Sequence, residues 1–219
     1  MSDQEESDEH YHAPFITVEG GNDKANKSII RALSQHNTFH TMTSIQYSES
    51  VSIVGTLLYR DDYDSIELPN LVHYQLRNAN LWEVQDEIKS LTSDKITVIS
   101  SSYVLSNRAR MLSTGMVGKE FCCQLDAGLL KPDLQIHLQS DPVPLTNRVS
   151  TSRRDTFQSR IQIVESFKEL SKNDQDIKTI IYQCKEDLDI CKDQARSLFD
   201  EAWPAELSLT QFKYFDGYS

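Results

Sequence analysis

Apolar residues fall along this chain in two alternating patterns. One is a short unbroken run and the other is a longer stretch spaced by three to five. Phe15-Ile16-Thr17-Val18 is such a run, ends at Gly20-Gly21, and reads as a buried strand closed by a turn. Ser28-Ile29-Ile30-Arg31-Ala32-Leu33 then opens a helical period. Leu71, Leu76, Leu81, Val84 and Ile88 predict one long helix over 69–91, and the run Lys95–Ser100 predicts a second strand. Residues 104–130 read as helical, broken at Gly115 and Gly118, with a third strand at Leu134–Leu138. Phe157, Ile161, Val164, Phe167 and Leu170 mark an amphipathic helix over 155–172, Lys178–Tyr182 a fourth strand, and 185–201 a further helix. Strands alternating with helices predict an open, parallel α/β sheet.

Both ends of the chain depart from this pattern. Residues 1–12 begin Met-Ser-Asp-Gln-Glu-Glu and read as an acidic, solvated tail, leaving a domain over 13–204. The segment 205–219 is aromatic, with Phe212, Tyr214, Phe215 and Tyr218, and its expected place is against its own domain.

Composition narrows the function classes. The 219 residues carry 22 basic and 33 acidic side chains, a net charge of −11 that disfavours general nucleic-acid or anionic-membrane binding. No apolar run is long enough to span a bilayer, and the first residues lack the basic-then-apolar order of a secretory signal. Cys122, Cys123, Cys184 and Cys191 form no CxxC pair and read as reduced thiols of an intracellular protein, in cytoplasm or nucleus. His137 reads as a packed or edge residue of the third strand, Asp133 as a loop cap, and the 44–66 segment with Asp61, Asp62, Asp64 and Glu67 as a solvated acidic loop.

The candidate chemistry lies between the first strand and helix, at Gly21-Asn22-Asp23-Lys24-Ala25-Asn26-Lys27-Ser28. A phosphate loop, G-x-x-x-x-G-K-[ST], uses glycines to bring backbone N–H groups to phosphates, a lysine to reach them and a hydroxyl to hold Mg²⁺. Gly21, Lys27 and Ser28 fit, while Asn26 replaces the second glycine and puts a side chain near the phosphate path. The octet alone also suits a plain strand–helix turn.

Gly128-Leu129-Leu130-Lys131-Pro132-Asp133-Leu134 resembles the G-L-[LP]-K-P-D-L segment of the thymidylate kinase family in its eukaryotic branch, with Phe121-Cys122 and Asp126 before it. Gly21–Ser28, including Asp23 and Lys24, resembles that family's phosphate loop, and Ala79-Asn80-Leu81-Trp82-Glu83 resembles its A-N-R-W-E helix. Tyr47-Ser48-Glu49-Ser50 with Gly55, and Phe157-Gln158-Ser159-Arg160, resemble two further segments in the same order. The resemblance implies a P-loop nucleoside monophosphate kinase fold, a central parallel sheet of about five strands flanked by helices. It implies pairing into homodimers through helices, with 69–91 as the candidate here. It also implies residual nucleotide-phosphate contacts at Gly21, Asp23, Lys24, Lys27 and Ser28, with Ser28 the Mg²⁺ ligand of a weakly held Mg-ATP.

The departures fall on the working positions. Ser50 and Leu81 stand where the resemblance implies substrate-binding arginines. Ser101-Ser102-Tyr103 stands where it implies D-R-Y, and the lid motif near Thr151-Ser152-Arg153 is not preserved. One well-placed arginine is worth about 10³–10⁵ in phosphoryl-transfer rate. The expectation is therefore no catalytic residue, no required cofactor, and a pseudoenzyme that acts through a protein partner or a second copy of itself. The rival is an active ATP-dependent thymidylate kinase whose site is rebuilt from Arg108, Arg110, Arg148, Arg153, Arg154 or Arg160.

Overall fold

The structure, a computed structural model, describes residues 12–20, 23–36, 42–45, 54, 69–140, 157–170, 177–184, 193, 197 and 212–216. In chain order these form β1 (Phe15–Gly20), α1 (Asp23–His36), β2 (Met42–Ile45), α2 (Asn70–Ser93), β3 (Thr97–Ser101), α3 (Val104–Leu112), α4 (Lys119–Asp126), β4 (Leu134–Ser140), α5 (Phe157–Leu170) and β5 (Lys178–Cys184). The strands make one sheet in the order β2-β3-β1-β4-β5, parallel throughout.

The unbroken apolar runs reflect burial on both faces of the sheet. Ile16 and Val18 of β1, Ile99 of β3 and Ile136 of β4 pack on Ile29, Ile30 and Leu33 of α1. Phe15 and Val98 point to the other side, onto Leu81, Val84 and Ile88 of α2 and Tyr103 and Val104 at the start of α3. On that side Leu105 and Ala109 of α3 also meet Phe167 and Leu170 of α5. His137 lies there as well, buried and stacked on Phe167 at 5.2 Å, a packed strand residue as its alternation implies. Burial and the nearby Lys168 push its imidazole down to about 4.

Four of the five strands and the breaks at Gly115 and Gly118 match the sequence pattern. Gly115, in the turn after α3, takes φ 66°, and Gly118 is the N-cap of α4. β2 is an addition to the apolar pattern, since Thr43 and Ser44 interrupt it. That loop's Asp61, Asp62, Asp64 and Glu67 lie outside the described residues, as do residues 1–11. The helix expected over 185–201 is described only at 193 and 197, both helical.

His12, the last residue of the expected tail, is buried and stacks on Phe212 at 4.2 Å. Residues near the C-terminus run antiparallel to 128–131. Phe215 N–H donates to Leu129 O (2.8 Å), Gly128 N–H to Phe215 O (2.8 Å) and Lys131 N–H to Lys213 O (2.7 Å). Phe215 is buried in the second core cluster. Asp133 caps as expected, accepting the Phe15 N–H at 2.8 Å while its own N–H donates to Phe15 O at 2.8 Å. Among the described residues no helix is long and apolar enough to cross a membrane.

Candidate functional site

In an open parallel sheet, ligands bind beyond the carboxyl ends of the strands where the strand order reverses. Here that point is the end of β1, since β3 lies on one side of it and β4 on the other. The residues gathered there are Glu19 and Gly20, the first turns of α1, Ser101 and Ser102, and the start of α3.

Within the expected phosphate loop, the residues from Asp23 onward are helical. β1 ends at Gly20 and α1 begins at Asp23, so Asp23, Lys24, Lys27 and Ser28 stand in helix rather than in a wide loop. The physical reason is the missing second glycine. Ala25-Asn26-Lys27 has nothing to stop helical propagation upstream, and Asp23 suits a helix N-terminus. Ser28 is half-buried in α1, and Gly21 lies outside the described residues.

Asn26 is fully buried. Its Nδ2 donates to Gly20 O and to Ser102 Oγ, each at 3.4 Å, so one side chain joins the ends of β1 and β3. Among the described residues its Oδ1 has no hydrogen-bond partner. Gly20 is close-packed, since a Cβ there would lie 2.8 Å from Leu138 O and 3.1 Å from Asn26 Oδ1. Ser102 takes φ 59°, a left-handed backbone unusual outside glycine, and donates its N–H to Val18 O at 3.1 Å.

Glu19 escapes sequence reading because it sits inside an apolar strand. Its carboxylate is fully buried and turned toward α3, where it accepts N–H groups from Tyr103 and Ser106 at 3.1 Å each and the Ser106 hydroxyl. It therefore satisfies orphan donors at a helix start. Burial pushes its pKa up to about 7, although those donors and Arg110 pull the other way.

Leu81, at the expected substrate-arginine position, is buried in the second core cluster. Arg108 is also inside the protein. Its Nε donates to Asp126 Oδ2 at 2.6 Å, Asn78 Nδ2 donates to Asp126 Oδ1 at 2.5 Å, and its guanidinium lies 5.0 Å from the Phe215 ring centre. Desolvation raises Asp126 to about 6 against the pull of Arg108 and Asn78. Trp82 covers Gly128, where a Cβ would meet its ring at 2.9 Å and φ is +92°. Ser50, Arg148, Arg153 and Arg154 lie outside the described residues, and Arg160 stands in α5. No group of three or more His, Cys, Asp or Glu able to hold a metal occurs among the described residues, and Glu19 faces α3. Of the contacts that the resemblance implies for Mg²⁺, Ser28 lies among the described residues, and no such cluster stands with it among them.

No family model matches the chain. Thymidylate kinase of Plasmodium falciparum is 25% identical over 174 residues, covering 77% of this chain and 82% of that protein. The Schizosaccharomyces pombe thymidylate kinase is 28% identical over 167 residues, covering 73% and 74%. The solved structure of thymidylate kinase from Candida albicans superposes with a TM-score of 0.73 at 20% identity, covering 93% of this chain and 98% of that one. Its five parallel strands, its colinear motifs and these relatives make the chain similar to the thymidylate kinases in sequence and place it in their fold.

Proposed function

We propose that this protein is a catalytically degenerate thymidylate-kinase-like protein. It works by binding a protein partner or a second copy of itself, and it retains at most weak Mg-ATP binding through Lys27 and Ser28. The observation that carries the reading is the character of the sheet's carboxyl edge. Ser101 ends β3 and Ser102 follows it, Leu81 is core, and Asn26 bonds to Gly20, the last residue of β1. Phosphoryl transfer is driven by positioning and by cations that stabilise the moving group, and neutral side chains supply neither. Arg108, in the helix that follows Ser102, is held by Asp126. The acid excess and the thiols suit an intracellular protein.

A second reading, an active ATP-dependent thymidylate kinase with a rebuilt site, draws on the names of the relatives and on the arginines near 148–160. A coupled assay with thymidylate and Mg-ATP separates the two. The degenerate protein stays at background, whereas turnover above about 1 s⁻¹ that Lys27→Ala abolishes would establish the second reading.

A further inference from the structure

We infer that Asn26 is a built-in plug of the phosphate cradle, the residue that determines whether this chain takes a nucleotide polyphosphate at all. The inference rests on the reading of this edge as a former nucleotide site. Four features converge at one place. The carboxamide is fully buried and spans from Gly20 O to Ser102 Oγ, so the gap between the β1 and β3 ends is filled from within. Close packing at Gly20 against Leu138 O and Asn26 Oδ1 leaves no room beside it.

Third, Oδ1 has no partner among the described residues, and an unpaired buried acceptor opposes folding rather than helping it. It also sets a lone pair where a phosphate would set its own. Fourth, Asn26 lies in the first turn of α1, and the first N–H groups and positive dipole end of a helix favour an anion. A phosphate can enter only after the carboxamide leaves its two acceptors, so the site excludes the ligand that its helix terminus would attract.

The test is calorimetric titration of the full chain with ATP and with inorganic tripolyphosphate, for wild type, Asn26→Gly and Asn26→Ala. Alanine removes only the carboxamide, whereas glycine also frees the first turn of α1. Both variants should bind tripolyphosphate and ATP about tenfold or more tighter than wild type, glycine the tighter of the two. Binding in the folded variants equal to wild type, or wild-type binding as tight as either variant, would overturn the inference. Failure of Asn26→Gly, Asn26→Ala and Asn26→Ser all to fold would overturn it too, since the carboxamide would then be a folding element. Thymidylate turnover by wild type would sink the degenerate reading while leaving this affinity ratio to be decided separately.

Discussion

Replacing Arg108 by methionine tests whether this arginine belongs to the core or to chemistry. Arg108 and Asp126 are 5% and 0% exposed, with 2.6 Å between Nε and Oδ2, and Asn78 holds the other carboxylate oxygen at 2.5 Å. Removing one partner of a buried pair leaves an uncompensated charge and costs about 3–5 kcal/mol. The loss depends on pH. Asp126 is raised to about 6 from 3.8 in the folded protein, so the folded state binds more protons in that window and stability falls as pH rises through it. Without Arg108 the carboxyl is pushed higher, and the window extends upward. Arg108→Met should therefore lose about 3–5 kcal/mol at pH 8 and recover part of it at pH 5. Urea unfolding followed by circular dichroism at both pH values gives the midpoints. Arg108→Met combined with Asp126→Leu should be less destabilised than Arg108→Met alone, because no charge is then stranded. A loss below about 1 kcal/mol with unchanged pH dependence would show that Arg108 is not committed to Asp126. It would then be available to a substrate phosphate, and the degenerate reading would lose a main support.

Two further outcomes follow from the same coordinates. Folded Glu19 holds its proton up to about 7 against an ordinary 4.5, so its contribution to stability falls by about 3 kcal/mol as pH rises through that window. Glu19→Gln should flatten this part of the stability–pH curve. His137 contributes the opposite slope up to 6.5, so the effect is read from the difference between variant and wild-type melting curves, and identical curves would refute it. Phe215→Ala should cost about 3–5 kcal/mol by emptying its place between α2, Leu129 and the Arg108 guanidinium. Loss of less than about 1 kcal/mol in chemical denaturation would mean that the C-terminal segment is not part of the core.

The strands that sequence reading found are those whose residues are buried on both faces, since such strands leave unbroken apolar runs. Met42–Ile45 leaves no such run: among the described residues it pairs only with β3, and Thr43-Ser44 interrupts its apolar residues. The early start of α1 had a signal in Asn22-Asp23, a good helix opening, but the phosphate-loop motif over the same residues pointed to a loop. Of the candidate site, the missing arginines were legible as substitutions. What the replacements do was not: that Leu81 joins the core and that Asn26 reaches Ser102, 76 residues away, are three-dimensional facts.

Hydrophobic periodicity and the order of short motifs were enough to determine the parallel α/β class, the resemblance to thymidylate kinases and the loss of charge at the expected positions. They record how each element is buried, which is a local property of the chain. Only the tertiary structure decided that Glu19 serves the start of α3 across 87 residues, that Arg108 is held inside by Asp126, and that Phe215 returns to cover Leu129. Such pairings depend on which elements the sheet order brings together, and a buried polar group takes whatever partner that packing offers.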